Sequence, residues 1–348
     1  MSRARGFASD NSSGAHPDIL AAIAAANAGH ATSYGGDPET ARLEEASRRE
    51  FGESSSIFPM MNGTGANIAA LRAMARPHQA VICAETAHLS IDETGAPEAI
   101  AGLKLLNLPT PDGKLTPELA ATRLADPADL PHVAWPAVIS IAQVTEMGTV
   151  YTPQEVGALA DFAHENELLL HMDGSRLANA AASLGIGLAE ASTDNGVDVL
   201  SLGANKNGAL FGEAVVFREP PLTAGFEVLR KGTLQLASKM RFISAQLNAL
   251  LEGELWRDLA GNANEMATAI SEAIAWIDGA ELAQVTQANL VFFALDPEKA
   301  EVFAKRLMPH HPLLFRMGDV GMIRLVASWD TQIEDVDHLL TELRAVLS

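Results

Sequence analysis

Leu168–Arg176, LLLHMDGSR, and Leu200–Gly208, LSLGANKNG, decide how this chain is read. Each is an apolar run ending in a turn of small and polar residues, and each turn presents one side chain suited to cofactor chemistry. These are Asp173 in the first and, 33 residues later, Lys206 in the second. Apolar runs this short, without strict alternation, are the pattern of strands buried on both faces. A solvated aspartate and a surface lysine are the ordinary alternatives. The pairing of a carboxylate and an amine at neighbouring strand ends suits pyridoxal phosphate instead. That cofactor needs a carboxylate to keep its pyridine nitrogen protonated and a lysine to hold it as a Schiff base.

The pattern continues on either side. Ala80–Ala84, Leu103–Asn107, Ala137–Ala142, Val197–Leu202 and Ala214–Phe217 are further short apolar runs, with helical stretches between them from residue 60 to about 220. Thr152-Pro153-Gln154-Glu155 starts one such helix, with a capping threonine, a proline at the first position and a reciprocal glutamate. This alternation predicts an α/β fold with a mainly parallel central sheet. Further on, helices are expected over 234–259 and 263–277. Strands at Leu290–Leu295, Leu313–Arg316 and Met322–Ser328 follow, with a helix opened by Asp296-Pro297 and a terminal helix from Thr331. The expected division is a large cofactor-binding domain, 1–250, and a small α+β domain, 251–348.

Composition narrows the partners. The chain has 348 residues, 48% of them apolar, with 24 basic against 44 acidic side chains and a net charge of −20. That balance argues against nucleic acid or an anionic membrane as partner, and an anionic ligand would need a local basic pocket. No metal site is expected. Cys83, the single cysteine, sits in the apolar run AVICA and reads as a core residue. The start, MSRARGFASDNSSG, has no apolar h-region, and no apolar segment is long enough to span a bilayer, so a cytoplasmic location is expected.

Several other residues stand out. Asn62-Gly63-Thr64-Gly65 precedes the helical run IAALRAMA, where small residues and unpaired N–H groups would cradle a phosphate, or simply form a turn. His88 follows the AVICA run and is either a ring-stacking imidazole or a partly buried histidine with a local hydrogen bond. Arg176 would reach the cofactor or a substrate carboxylate, or form an ion pair. Arg324, an arginine inside the apolar MIRLVAS, needs an anionic partner, and a substrate carboxylate bound bidentately is the better explanation.

Taken together and in order, FASDNSSGAHP, SYGGDPET, NGTGAN, His88, HMDGSRLANA, LGANKNG followed by EAVVF, SKMRFISAQ and MIRLVAS resemble the low-specificity threonine aldolases, of the aspartate aminotransferase fold (fold type I). The resemblance covers nearly the whole chain. It implies cleavage of threonine, allo-threonine or a related β-hydroxy amino acid to glycine and an aldehyde. It also implies Lys206 as the Schiff-base lysine, Asp173 on the pyridine nitrogen, His88 stacked on the ring, and Gly63 and Thr64 on the phosphate. Arg176 and Arg324 would surround the substrate carboxylate, with Ser9 and Tyr34 also at the substrate. A homo-oligomer, dimer or tetramer, with sites between subunits is implied as well, and Tyr34, Arg230, Lys231 and Arg241 become candidates for cross-subunit or phosphate contacts. One departure stands out: the segment that carries a histidine in many members reads QVTEMGTVYT here. The β-hydroxyl proton would then leave through Glu146, His88 or a water, and bulkier substrates such as phenylserine become favoured. A β-eliminating lyase on aromatic or sulfur amino acids and a non-catalytic pyridoxal phosphate binder are the alternatives.

Overall fold

The computed structural model describes residues 5–126, 128, 131–307, 313–314 and 321–348. Its larger sheet has seven strands among the described residues: β1 (Ser56–Met60), β2 (Ala80–Ala84), β3 (Lys104–Leu108), β4 (Pro136–Ala142), β5 (Leu169–Gly174), β6 (Val199–Leu202) and β7 (Glu213–Phe217). They lie in the order β1-β7-β6-β5-β4-β2-β3. Strands β3, β2, β4, β5 and β6 are parallel, and β7 is antiparallel to both of its neighbours. Every residue of β2, β6 and β7 is buried, because helices cover both faces, and hence these sequences do not alternate. Strand β1 escapes a sequence reading because SIFPM contains Pro59. Proline is tolerated here at the sheet's edge, where β1 pairs only with β7.

The crossover from β4 to β5 begins where the sequence indicates. Thr152 Oγ1 accepts the N–H of Glu155 at 3.2 Å and Glu155 Oε2 accepts the N–H of Thr152 at 2.7 Å, starting helix Pro153–Glu165. That helix returns the chain so that Asp173 lies beside Ala142 and Ser201 in the sheet.

The expected helices 234–259 and 263–277 are corrected. Helix Arg241–Leu251 is followed by a break in which Gly253 (φ +76°) and Glu254 (φ +60°) are left-handed, and then by a single helix, Leu255–Ile274. The apolar periodicity runs straight through, since Leu250, Trp256 and Leu259 all enter the main core, so pattern alone hides the break. Two left-handed residues cannot continue a right-handed helix.

A second sheet, β10-β11-β9-β8, is antiparallel throughout and comprises β8 (Glu281–Leu282), β9 (Leu290–Leu295), β10 (Leu313–Leu314) and β11 (Gly321–Val326). Phe315 and Arg316, the last two residues of the expected strand Leu313–Arg316, lie outside the described residues. Helix Leu255–Ile274 serves both cores, contributing Leu259 and Ala260 to the first and Met266, Ile270 and Ile274 to the second. The N-terminal segment crosses to the small sheet: Phe7 enters its core and its carbonyl accepts the N–H of Val326 at 2.8 Å. Asp10 is thereby carried to the junction between the two sheets.

Candidate active site

The carboxyl ends of β5 and β6 open into a cavity of about 300 Å³. Asp173, Ser175, Gly203 and Lys206 line it from these strand ends, Gly63, Thr64 and Asn67 from the helix Gly63–Met74, and His88 and Glu93 from the segment after β2. Strand ends of a parallel sheet are where such folds place ligands.

Asp173 is 7% exposed, and its carboxylate is held from two sides. Its Oδ1 accepts the N–H of Ser175 at 3.0 Å, and its Oδ2 accepts Asn67 Nδ2 at 2.8 Å. Burial favours the neutral acid. The charge of Lys206, the Asn67 amide, His88 and the Ser175 N–H outweigh burial and hold the carboxyl below its ordinary range. Lys206 sits in a tight 3₁₀ turn, Asn205–Asn207, just past β6, and its Nζ donates to Ser175 Oγ at 3.3 Å. Gly203 makes this approach feasible: a Cβ there would lie 2.5 Å from the Cα of Ser175.

His88 begins the short helix His88–Ile91, and its Nδ1 is 2.9 Å from Oε1 of the buried Glu93. The hydrogen bond to Glu93 raises the imidazole pKa against the opposing effect of burial, with the charges of Asp173, Glu93 and Glu146 adding to it. Asn67 Nδ2 donates to Glu93 Oε1 at 2.9 Å as well as to Asp173, so one amide ties the two carboxylates together. A ring nitrogen of His88 and a carboxylate oxygen each of Glu93 and Asp173 all lie within 4.8 Å of one another. Two acceptors of this network, Asn67 Oδ1 and Glu93 Oε2, are buried without a hydrogen-bond partner. Two residues before Asp173, His171 bridges Ser140 Oγ at 2.9 Å and Ser201 Oγ at 3.1 Å. Complete burial lowers its pKa to about 4, so this imidazole is neutral at pH 7.

At the helix N-terminus Asn62 accepts the N–H of Gly65 at 2.8 Å, while Gly63 and Thr64 face the cavity. The dipole and the unpaired N–H groups there favour an anion. Gln235 braces this loop. Its Oε1 accepts the N–H of Met61 at 3.0 Å and of Asn62 at 3.4 Å, and its carboxamide fills the space over Gly65, where an added Cβ would lie 2.1 Å from Gln235 Cδ.

A second group of charges lies at the junction of the sheets. Arg176 Nε and Nη2 donate to Asp10 Oδ2 and Oδ1 at 2.7 and 3.0 Å, and Asn289 Nδ2 also donates to Asp10, at 3.1 Å. Arg176 Nη1 is buried with no hydrogen-bond acceptor among the described residues, 3.9 Å from Glu146 Oε1. Arg324 lies on β11 opposite Phe292 and Leu313, and burial together with the charge of Arg176 lowers its pKa.

The cavity thus brings together Gly63, Thr64, His88, Asp173 and Lys206, and its described lining does not include Ser9, Tyr34, Arg176 or Arg324. Ser9 caps the turn Asp10–Ser12 by accepting the N–H of Asn11 at 3.2 Å. Tyr34 is 50% exposed, with Lys231 Nζ 4.0 Å above its ring. Arg230 is buried and donates to the Pro59 carbonyl at 3.2 Å, and Arg241 donates to the Gly29 carbonyl at 3.2 Å. Sequence reasoning missed Asn67 and Glu93, although both stand within a few residues of the motifs around Gly63 and His88. Asp10, Glu213 and Gln235 carried no local signal.

Comparison with known proteins adds a separate line of support. A profile described as beta-eliminating lyase matches residues 6–296. A low-specificity L-threonine aldolase of Pseudomonas aeruginosa is 41% identical over 342 residues, spanning 98% of this chain and 97% of that protein. The solved structure of a threonine aldolase of Leishmania major superposes with a TM-score of 0.90 at 27% identity, over 99% of this chain and all of that one. Mouse CSAD, at 17% identity and a TM-score of 0.75 over 99% of this chain and 84% of its own, shares the fold.

Proposed function

Because the chain belongs to the beta-eliminating lyase family, which uses pyridoxal phosphate, we propose that it is an aldehyde-lyase of the threonine aldolase type. On this reading it splits threonine, allo-threonine and related β-hydroxy amino acids into glycine and an aldehyde. The observation that carries the reading is the convergence of Asp173 and Lys206 on one cavity, joined through Ser175.

The residues present fit the cofactor. Gly63 and Thr64 stand at a helix N-terminus suited to its phosphate, and a Cβ added at Gly63 would meet nothing within 4 Å, leaving room there. An ionised, buried Asp173 suits a protonated ring nitrogen, Lys206 provides the anchoring amine, and His88 provides a flat ring to lie against. When bound, pyridoxal phosphate withdraws electrons from the substrate's Cα–Cβ bond.

The protein side of the reaction follows from the groups already described. Asp173 keeps its negative charge in a buried place, so a proton on the atom it faces is stabilised. Arg176 is locked by Asp10 in one orientation, leaving Nη1 to meet a carboxylate oxygen, with Arg324 as the second guanidinium. Of the groups expected to take the β-hydroxyl proton, His88 lines the cavity while Glu146 is beside Arg176. We therefore assign that proton to His88, with Glu93 holding its Nδ1. Phenylserine remains a favoured substrate on this reading.

A homo-oligomer is part of the same proposal. Lys206 is the only lysine or arginine among the described lining residues, so a cation for the phosphate would come from a second copy. The domain division near residue 250 and a cytoplasmic location also belong to it; no helix among the described residues is long and apolar enough to cross a membrane. An assay of glycine and aldehyde formation from threonine, allo-threonine and phenylserine tests the function. Ammonia and a 2-oxo acid in their place would replace it with a β-elimination.

A further inference from the structure

Glu213 has no part in the chemistry assigned so far. It is the first residue of β7, opposite Met60 of β1, and it is buried against the cavity that Lys206 enters. Its Oε2 accepts the N–H of Ala204 at 2.6 Å, and the N–H of Asn205 also favours its ionised form. Those are the two residues before Lys206, and Ala204 has no side-chain cap to offer the turn Asn205–Asn207. A carboxylate accepting backbone N–H groups at the start of a helical turn makes the stronger, charge-assisted kind of bond.

We propose that Glu213 is a positioning residue for Lys206: its carboxylate anchors the turn through the Ala204 N–H and sets a second anion, besides Asp173, near the Lys206 amine. The proposal rests on Lys206 being the cofactor-bearing lysine. The charged groups facing Glu213 are Lys206 on the turn and Asp173 on β5, and they act in opposite directions on its ionisation. Burial is the largest influence and pushes the carboxyl up to about 7, so this anion comes and goes near neutral pH.

Glu213→Gln separates the two roles, because the amide keeps the volume and an acceptor for Ala204 while losing the charge. Glu213→Asp keeps the charge on a shorter arm. For each holoenzyme, borohydride fixation followed by peptide mapping locates the cofactor, and a pH titration of its visible absorbance reports the charge on the nitrogen that carries it. With the cofactor fixed at Lys206, the Gln variant should titrate lower than wild type by roughly half a unit to one unit, and the Asp variant should recover part of the difference. Fixation at Lys206 with superimposable titrations in all three proteins overturns the role of Glu213 alone. Fixation on another peptide overturns the assignment of Lys206, and this proposal with it.

Discussion

Among the described residues, the buried polar atoms left without hydrogen-bond partners on the cavity floor are acceptors, Asn67 Oδ1 and Glu93 Oε2; at the junction of the two sheets Arg176 leaves a donor, Nη1, and Asn289 an acceptor, Oδ1. The floor is knit by the one neutral amide of Asn67 between Asp173 and Glu93 and by the Ser175 N–H on Asp173, whereas the junction depends on one bidentate ion pair, Arg176 with Asp10. Buried groups left unsatisfied in an otherwise satisfied structure mark places that a ligand can complete. The floor is suited to donors and cations, whereas the free Nη1 of Arg176 suits a carboxylate oxygen at the junction. An amino acid bonded to an aromatic cofactor would present both.

The contrast can be broken most severely at Lys206. Lys206→Ala should abolish the visible absorbance of a cofactor bound as a Schiff base and reduce glycine formation by several orders of magnitude, while melting as a folded protein; absorbance retained and fixed by borohydride would move the anchoring amine elsewhere. Next is Asp173→Asn, which keeps a hydrogen-bonding group on the floor but removes its charge. It should retain cofactor and lose about 10²–10³ in kcat, and near-normal turnover would take the charge out of the chemistry.

The junction is probed through stability as well as kinetics. Asp10→Asn leaves the Arg176 guanidinium buried beside a neutral amide, and breaking such a pair should cost about 3 kcal/mol in a denaturant titration. An unchanged midpoint would mean that water or another anion replaces Asp10. Arg324→Lys should raise KM for the amino acid about tenfold or more at unchanged cofactor affinity, since the ammonium keeps the charge without the planar fork. A KM equal to wild type would assign Arg324 to the fold alone.

The smallest effect concerns His88. Its folded pKa is raised above the ordinary 6.5, so its contribution to stability is fully present below about 6.5 and disappears as pH rises through the raised value. The gap in melting temperature between wild type and His88→Gln should therefore be wider at pH 6 than at pH 9. Asp173 has the opposite linkage: its lowered pKa gives stability above the ordinary 3.8 that is lost as pH falls through the lowered value. Equal gaps at pH 6 and pH 9 would show that Glu93 does not hold the imidazolium.

What could be read from sequence follows the same division. Asp173 and Lys206 end apolar runs, and Gly63 and Thr64 open a helix, so each is marked by its immediate neighbours. The α/β order and the parallel sheet were legible for the same local reason. Asp10 is paired with a residue 166 positions away, and Gln235 with a backbone 174 positions away. Nothing in the local pattern of either announces a partner. The break at Gly253 was hidden because tertiary packing keeps the apolar stripe continuous across it, and β1 because its proline is acceptable only at an edge known from the sheet order.

The brace of Gln235 over Gly65 carries a lesson for anyone diversifying this scaffold. Two residues distant in the chain share one small volume, so varying either disturbs the other: a side chain at 65 must displace the carboxamide from its bonds to Met61 and Asn62, and a shorter residue at 235 empties the space and frees two backbone N–H groups. Libraries that randomise these positions jointly should recover functional pairs that single-site scans discard, with bulk at 65 traded against bulk at 235.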